Sequence, residues 1–115
     1  MTKYMALYMA PAAAIAKMMK LSAEEGQAEM DAWMAWDAAH KSAIVDLGNP
    51  LGRTKRVTAG KVADGHNEVT GYSIVEADSA DAAAKIFLDH PHLRMEGAWI
   101  DVLNVVNVED MMDAA

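Results

Sequence analysis

The chain contains no cysteine. That excludes disulfides, thiolate nucleophiles and zinc–thiolate sites, and it fits a reducing, cytoplasmic setting. No apolar run approaches the ~20 residues that a membrane-spanning helix requires. Basic residues are scarce beside acidic ones: ten Lys and Arg against seventeen Asp and Glu, a net charge of −7. A phosphate backbone would be repelled on average, so nucleic acid is not an expected partner. The densest basic group, Arg53, Lys55 and Arg56, sits between turn signals. Ser73 lacks a Gly-x-Ser-x-Gly elbow, which argues against a hydrolase nucleophile. The turn GNPLG lacks both the lysine and the strand-to-helix context of a phosphate cradle.

What is present suits one domain over residues 1–115. The hydrophobic fraction of 53% supplies a core and is slightly high for so small a chain, which points to a buried subunit interface. The N-terminal MTKYMALYMAPAAAIA superficially resembles a secretory signal. Its tyrosines, its strand-like pattern and the nearby Lys17 and Lys20 favour a strand instead.

Residues 3–10 put Tyr4, Ala6 and Tyr8 on one face and Met5, Leu7 and Met9 on the other, so the strand is apolar on both sides. Pro11 ends it, and residues 12–20 form an Ala/Met-rich connector, helical in part. Ser22 with Glu25 reads as a capping box opening a helix to about residue 42. Met30, Trp33, Met34 and Ala38 stripe that helix, with Trp36 and His40 on a neighbouring row. A strand follows at 43–48, then a hairpin at 53–58 and 61–65, a loop at 66–71 and a strand at 71–77. Asp78-Ser79 caps a helix over 80–89 with Ala83, Ile86 and Phe87 inward, and Pro91 stops it. The last strand covers 98–108, and the tail EDMMDAA frays.

With the hairpin set aside as an insert, the order is β-α-β-β-α-β, a ferredoxin-like α+β unit. Both helices of such a unit cover one face of an antiparallel sheet. The outermost strands here are apolar on both faces, and a bare apolar sheet invites aggregation. A homodimer with two sheets face to face, an α+β barrel, is the expected solution.

The stretches KYMALYM, the helix bearing Trp33 and Trp36, VDLGNPLG, VADG with GYSIVEADSADAA, and DHPHL…GAWIDVLNV together resemble the YCII-related proteins, including their DGPF-domain branch. The likeness runs along nearly the whole chain in order. It implies the dimeric α+β barrel superfamily, hence a ferredoxin-like subunit and a homodimer. It further implies a small enzyme or ligand binder with a His/carboxylate pocket, or a regulatory role in some branches. The chain departs from the branch in its naming run: Asp64-Gly65 is kept, but His66-Asn67 stands where proline and phenylalanine would follow.

The residues that could carry chemistry begin with His90-Pro91-His92. His92 or His90 facing a cleft would be a general acid/base, since imidazole titrates near neutrality. The alternative is that His90 caps the helix C-terminus and His92 lies on a surface loop. Two histidines flanking a proline do not converge easily on one ion, so no metal and no cofactor are expected. Asp46 and Glu76 are candidate orienting carboxylates. Asp46 could equally cap its turn, and Glu76 would be odd beside Tyr72 and Ile74 unless paired or at a rim. Asp101 and Asn104 are weaker oddities of the same kind. Trp36 and Tyr8 are candidate ligand contacts, although aromatic stripes at this period normally pack in a core. The sequence therefore predicts a homodimer acting on a small molecule by acid/base chemistry, or a non-catalytic ligand-binding or regulatory dimer.

Overall fold

The computed structural model describes residues 1–113. The strands and helices are β1 Thr2–Met9, α1 Ala12–Met19, α2 Ala23–Ala39, β2 Ile44–Asp46, β3 Thr54–Thr58, β4 Lys61–Gly65, β5 Val69–Ala77, α3 Ala80–Lys85, β6 Trp99–Asn104 and α4 Val108–Asp113. Four strands form one antiparallel sheet in the order β2-β5-β1-β6, and β3 pairs with β4 in a separate two-stranded ribbon. With the β3–β4 ribbon and the two additional helices α1 and α4 left out, the remaining elements run β-α-β-β-α-β, the order expected from the sequence.

The capping box forms as read. Ser22 Oγ accepts from the Glu25 amide at 3.1 Å, and the Glu25 carboxylate accepts from the Ser22 amide at 3.2 Å. Burial on β1 is one-sided. Tyr4, Ala6 and Tyr8 pack with Val75 and Ala77 of β5 against Trp36, Ala83 and Phe87. The Trp36 indole N–H is satisfied at 3.1 Å by the Ile86 carbonyl, which fixes α2 on the turn after α3. His40 Nε2 meets Asp89 Oδ1 at 3.3 Å and ties the same two segments at the surface.

The alternate residues face away from this core. The register sets Met5 beside Ile74 and Leu103, and Leu7 beside Tyr72 and Asp101, all on the other side of the sheet. That side is apolar at its centre, with Lys3 opposite Glu76 towards its edge. The β3–β4 ribbon projects: Val57 and Val62 form a cross-strand pair, 74% and 68% exposed. The radius of gyration is 16.2 Å, above the ~13 Å of a compact chain this long.

Several boundaries differ from the sequence reading. The helix after Ser79 stops at Lys85 and continues as turns, because its last expected turn is taken up by the approach to Pro91. The long helix ends at Ala39 rather than 42, and the last strand ends at Asn104. Strand β5 begins two residues early, at Val69, where Asn67 Oδ1 accepts from the Val69 amide. The connector after Pro11 is a full helix. The expected frayed tail is helical over Val108–Asp113, with Asn107 Oδ1 accepting from the Glu109 amide; residues 114–115 lie outside the described residues. No described helix is long and apolar enough to cross a membrane.

Candidate functional site

Beside the core lies a cleft of about 670 Å³. One wall is α2, through Met30, Trp33 and Met34. The opposite wall is the turn after β2, Leu47 to Pro50, with the start of β5. The 3-10 turn Pro91–Arg94 closes an end with His92, and Tyr8 reaches it from the central strand. Met30 and Met34 are 59% and 45% exposed, so with Trp33 three of the four residues of the predicted helical stripe line the cleft.

Gly48 makes the turn wall possible. Its φ of +79° lies in the left-handed region, and a Cβ there would stand 1.7 Å from the Tyr72 carbonyl oxygen. Asp46 Oδ1 accepts from the Gly48 amide at 2.9 Å. Asp46 thus caps its turn; it is exposed, and no ion pair joins it to either imidazole among the described residues.

Both imidazoles are buried, His90 to 2% exposure and His92 to 5%. His90 does not cap α3. Its Nδ1 accepts from the His92 amide at 3.0 Å, so it caps the N-terminus of the 3-10 turn. The hydrogen is therefore on Nε2, which has no hydrogen-bond partner among the described residues. The ring sits among Tyr8, Trp33 and Trp36, with centroids at 4.8, 4.4 and 4.5 Å. Two of these contacts are edge-to-face, a geometry that lets an N–H meet an indole face. Burial drives the His90 pKa down to about 3; the charge of His92 lowers it further and Asp89 opposes this. His90 is neutral at pH 7.

His92 is not on a surface loop. Its Nε2 lies 2.8 Å from the Met9 carbonyl, which can only accept, so Nε2 carries the hydrogen and Nδ1 the lone pair. Burial lowers its pKa, while the Met9 and Trp99 carbonyls pull the other way. The expected orienting carboxylate is thus replaced by a main-chain carbonyl, which fixes the tautomer equally well.

Tyr8 is 1% exposed, and its oxygen lies 2.6 Å from Ser73 Oγ. Ser73 Oγ lies 2.5 Å from the Leu47 carbonyl. A serine has one hydrogen and a carbonyl has none, so Ser73 donates to Leu47 and Tyr8 donates to Ser73. Burial pushes the Tyr8 phenol up to about 12, with the Ser73 contact opposing.

Of the sequence-predicted residues, the structure brings His92 and Tyr8 to the cleft, with His90 packed behind them. Trp36 lies in the core, stacked on Phe87 at 5.2 Å; Trp33 takes the cleft wall. Glu76 is on the other side of the sheet, opposite Lys3. Sequence reasoning weighed Ser73 only as a nucleophile and set it aside, and it missed Thr70 and the Met9 carbonyl. Only the small polar residue at a buried strand position, Ser73, gave a signal that could have been read. Among the described residues, no three His, Cys, Asp or Glu side chains converge as a metal site would need.

No family model matches the chain, and no curated protein matches it. Among solved structures, it is similar to the 5-chloro-2-hydroxyhydroquinone dehydrochlorinase of Burkholderia phenoliruptrix in complex with 2,5-dihydroxybenzoquinone. The two share 16% identity over 88% of this chain and 91% of that one, with a TM-score of 0.46.

Proposed function

We propose that the protein is a homodimer of the YCII-related, dimeric α+β barrel kind, whose cleft takes a small, largely apolar molecule on which His92 acts as proton acceptor. The observation that carries this reading is a buried, neutral imidazole with a fixed tautomer in the wall of an apolar cleft of ligand size. With Nε2–H held on Met9, Nδ1 can take a proton from a bound hydroxyl or activated carbon and return it later in the cycle. The lowered pKa keeps the base form populated at neutral pH and makes the return easy. His90 holds the His92 main chain in place from behind. The dimer is supported by the apolar, helix-free side of the sheet and by the exposed Val57–Val62 ribbon. The enzyme-like reading is tested by screening small metabolites for turnover and repeating any hit with His92→Gln. Loss of turnover with binding retained is expected; unchanged turnover removes the assignment. A monomer by sedimentation at micromolar concentration removes the dimer.

One observation favours a second, non-catalytic reading. Among the described residues no carboxylate forms an ion pair with His90 or His92, and only the charge of Asp89, acting on His90, is near enough to favour an imidazolium. Saturable ligand binding without turnover would decide for a binding or regulatory dimer.

A further inference from the structure

The β3–β4 ribbon stands away from the body, with residues 55–62 exposed throughout. Its register puts the Val57–Val62 and Lys55–Asp64 pairs on one face, and the Arg56–Ala63 and Thr58–Lys61 pairs on the other. Hydrogen bonds tie its base: Asn67 Nδ2 donates to Thr54 Oγ1 at 3.1 Å, and Arg56 Nη2 to the His66 carbonyl at 2.9 Å. Two bare strands are marginal in water and call for a covering surface. The ribbon is also basic on an acidic molecule. Residues 53–65 hold Arg53, Lys55, Arg56 and Lys61 against Asp64 alone, and Lys55 is paired with Asp64. That leaves six of the ten basic residues to face sixteen of the seventeen acidic ones elsewhere in the chain. Arg53, Arg56 and Lys61 have no ion pair among the described residues. A phosphate-rich surface would attract the ribbon and repel the body behind it, ~17 Å away for a five-residue strand, or about two screening lengths. A second copy offers acid to the ribbon and a ribbon to the acid, so one two-fold operation makes the contact twice.

We propose that the ribbon is a docking arm: each protomer of the homodimer lays it on the acidic body of its partner, where Arg53, Arg56 and Lys61 meet carboxylates and Val57 and Val62 are covered. This inference rests on the homodimer reading and adds an electrostatic contact to the apolar sheet face. The stems of Arg56 and Lys61 are long enough to reach round a ribbon whose two strands lie ~5 Å apart. The ribbon is inserted between the turn Leu47–Pro50 and the start of β5, which both line the cleft, so a docked arm anchors one cleft wall from across the interface. The arm also reverses an expected sign. Two chains of net charge −7 repel, so a dimer held by sheet faces alone tightens as salt screens that repulsion. A dimer held by basic arms on acidic bodies loosens with salt, because the contacting charges stand much closer than the spread charges that repel.

The test is sedimentation equilibrium of the full chain, wild type and Arg56→Gln/Lys61→Gln, at about 0.05 M and about 0.5 M salt. Both positions are exposed, so the substitutions leave the core untouched. The wild-type dimer should loosen at the higher salt. The variant should dimerise about tenfold more weakly at the lower salt, from four lost charge contacts per dimer, and should lose that loosening. A dimer that ignores the substitutions, or a wild type that tightens with salt, overturns the arm and leaves a sheet-face dimer standing. A monomer under every condition overturns the homodimer, and the arm with it. Co-sedimentation with vesicles of anionic phospholipid, lost in a variant whose dimer is unchanged, assigns the ribbon to a membrane surface and overturns the arm.

Discussion

Replacing Ser73 by alanine should cost more than removing the phenol it serves. Tyr8→Phe takes away one donor; Ser73 keeps its bond to the Leu47 carbonyl and loses only an incoming hydrogen. A net loss of about 1 kcal/mol is expected from one hydrogen bond. Ser73→Ala strands two groups at once, the phenolic hydrogen of Tyr8 and the Leu47 carbonyl. Tyr8 is 1% and Ser73 0% exposed, so water does not easily replace the lost partner. At about 1–3 kcal/mol for each unsatisfied buried group, the variant should lose about 2–6 kcal/mol. The sign of the coupling is sharper than either magnitude. Where Ser73 is already alanine, Tyr8→Phe removes an orphaned hydroxyl and should restore about 1 kcal/mol or more. Urea unfolding of the four proteins at pH 7 and one fixed concentration completes the cycle. If Tyr8→Phe destabilises both backgrounds equally, the donation order from Tyr8 through Ser73 to Leu47 is wrong.

Three other outcomes follow from the same structure. His90, held near a pKa of about 3 against 6.5 unfolded, binds fewer protons folded than unfolded, so its contribution is complete above pH 6.5 and is lost as pH falls towards 3. The slope reaches about 1.4 kcal/mol per pH unit for this one group, and His90→Asn, which keeps an acceptor for the His92 amide, should flatten it in urea midpoints measured from pH 7 to 4. Tyr8 has the opposite edge: its pKa of about 12 means stability is retained up to pH 10 and falls between 10 and 12, followed by phenolate absorbance at alkaline pH. Gly48→Ala should cost more than the ~1–2 kcal/mol of a left-handed backbone alone, because the new methyl meets the Tyr72 carbonyl; Gly26→Ala, with open space and a helical backbone, should gain about 1 kcal/mol in the same melts.

Much of the fold was legible because it is local. The period-two pattern of Tyr4, Ala6 and Tyr8, the Ser22–Glu25 box and the Ala59-Gly60 turn each act within a few residues, and each formed as the pattern dictates. The site was less legible because it is built from distant partners. His90 and His92 stood out as residue types, but what orients His92 is a carbonyl 83 residues away, and main-chain oxygens leave no mark on a sequence. Trp33 and Trp36 share a helix and differ by only three positions. Which one is core depends on Phe87 and the Ile86 carbonyl, brought in by the sheet. Asp46 drew notice as a carboxylate near a turn, and the turn itself uses it.

The most direct test of the site is nitrogen NMR of the His92 ring in the full chain at pH 7, assigned with His92→Gln. A neutral ring protonated on Nε2, with a bare Nδ1 whose resonance moves when a cleft ligand saturates, is the expected result. An imidazolium at pH 7, or a hydrogen on Nδ1 with Nε2 bare, would contradict it.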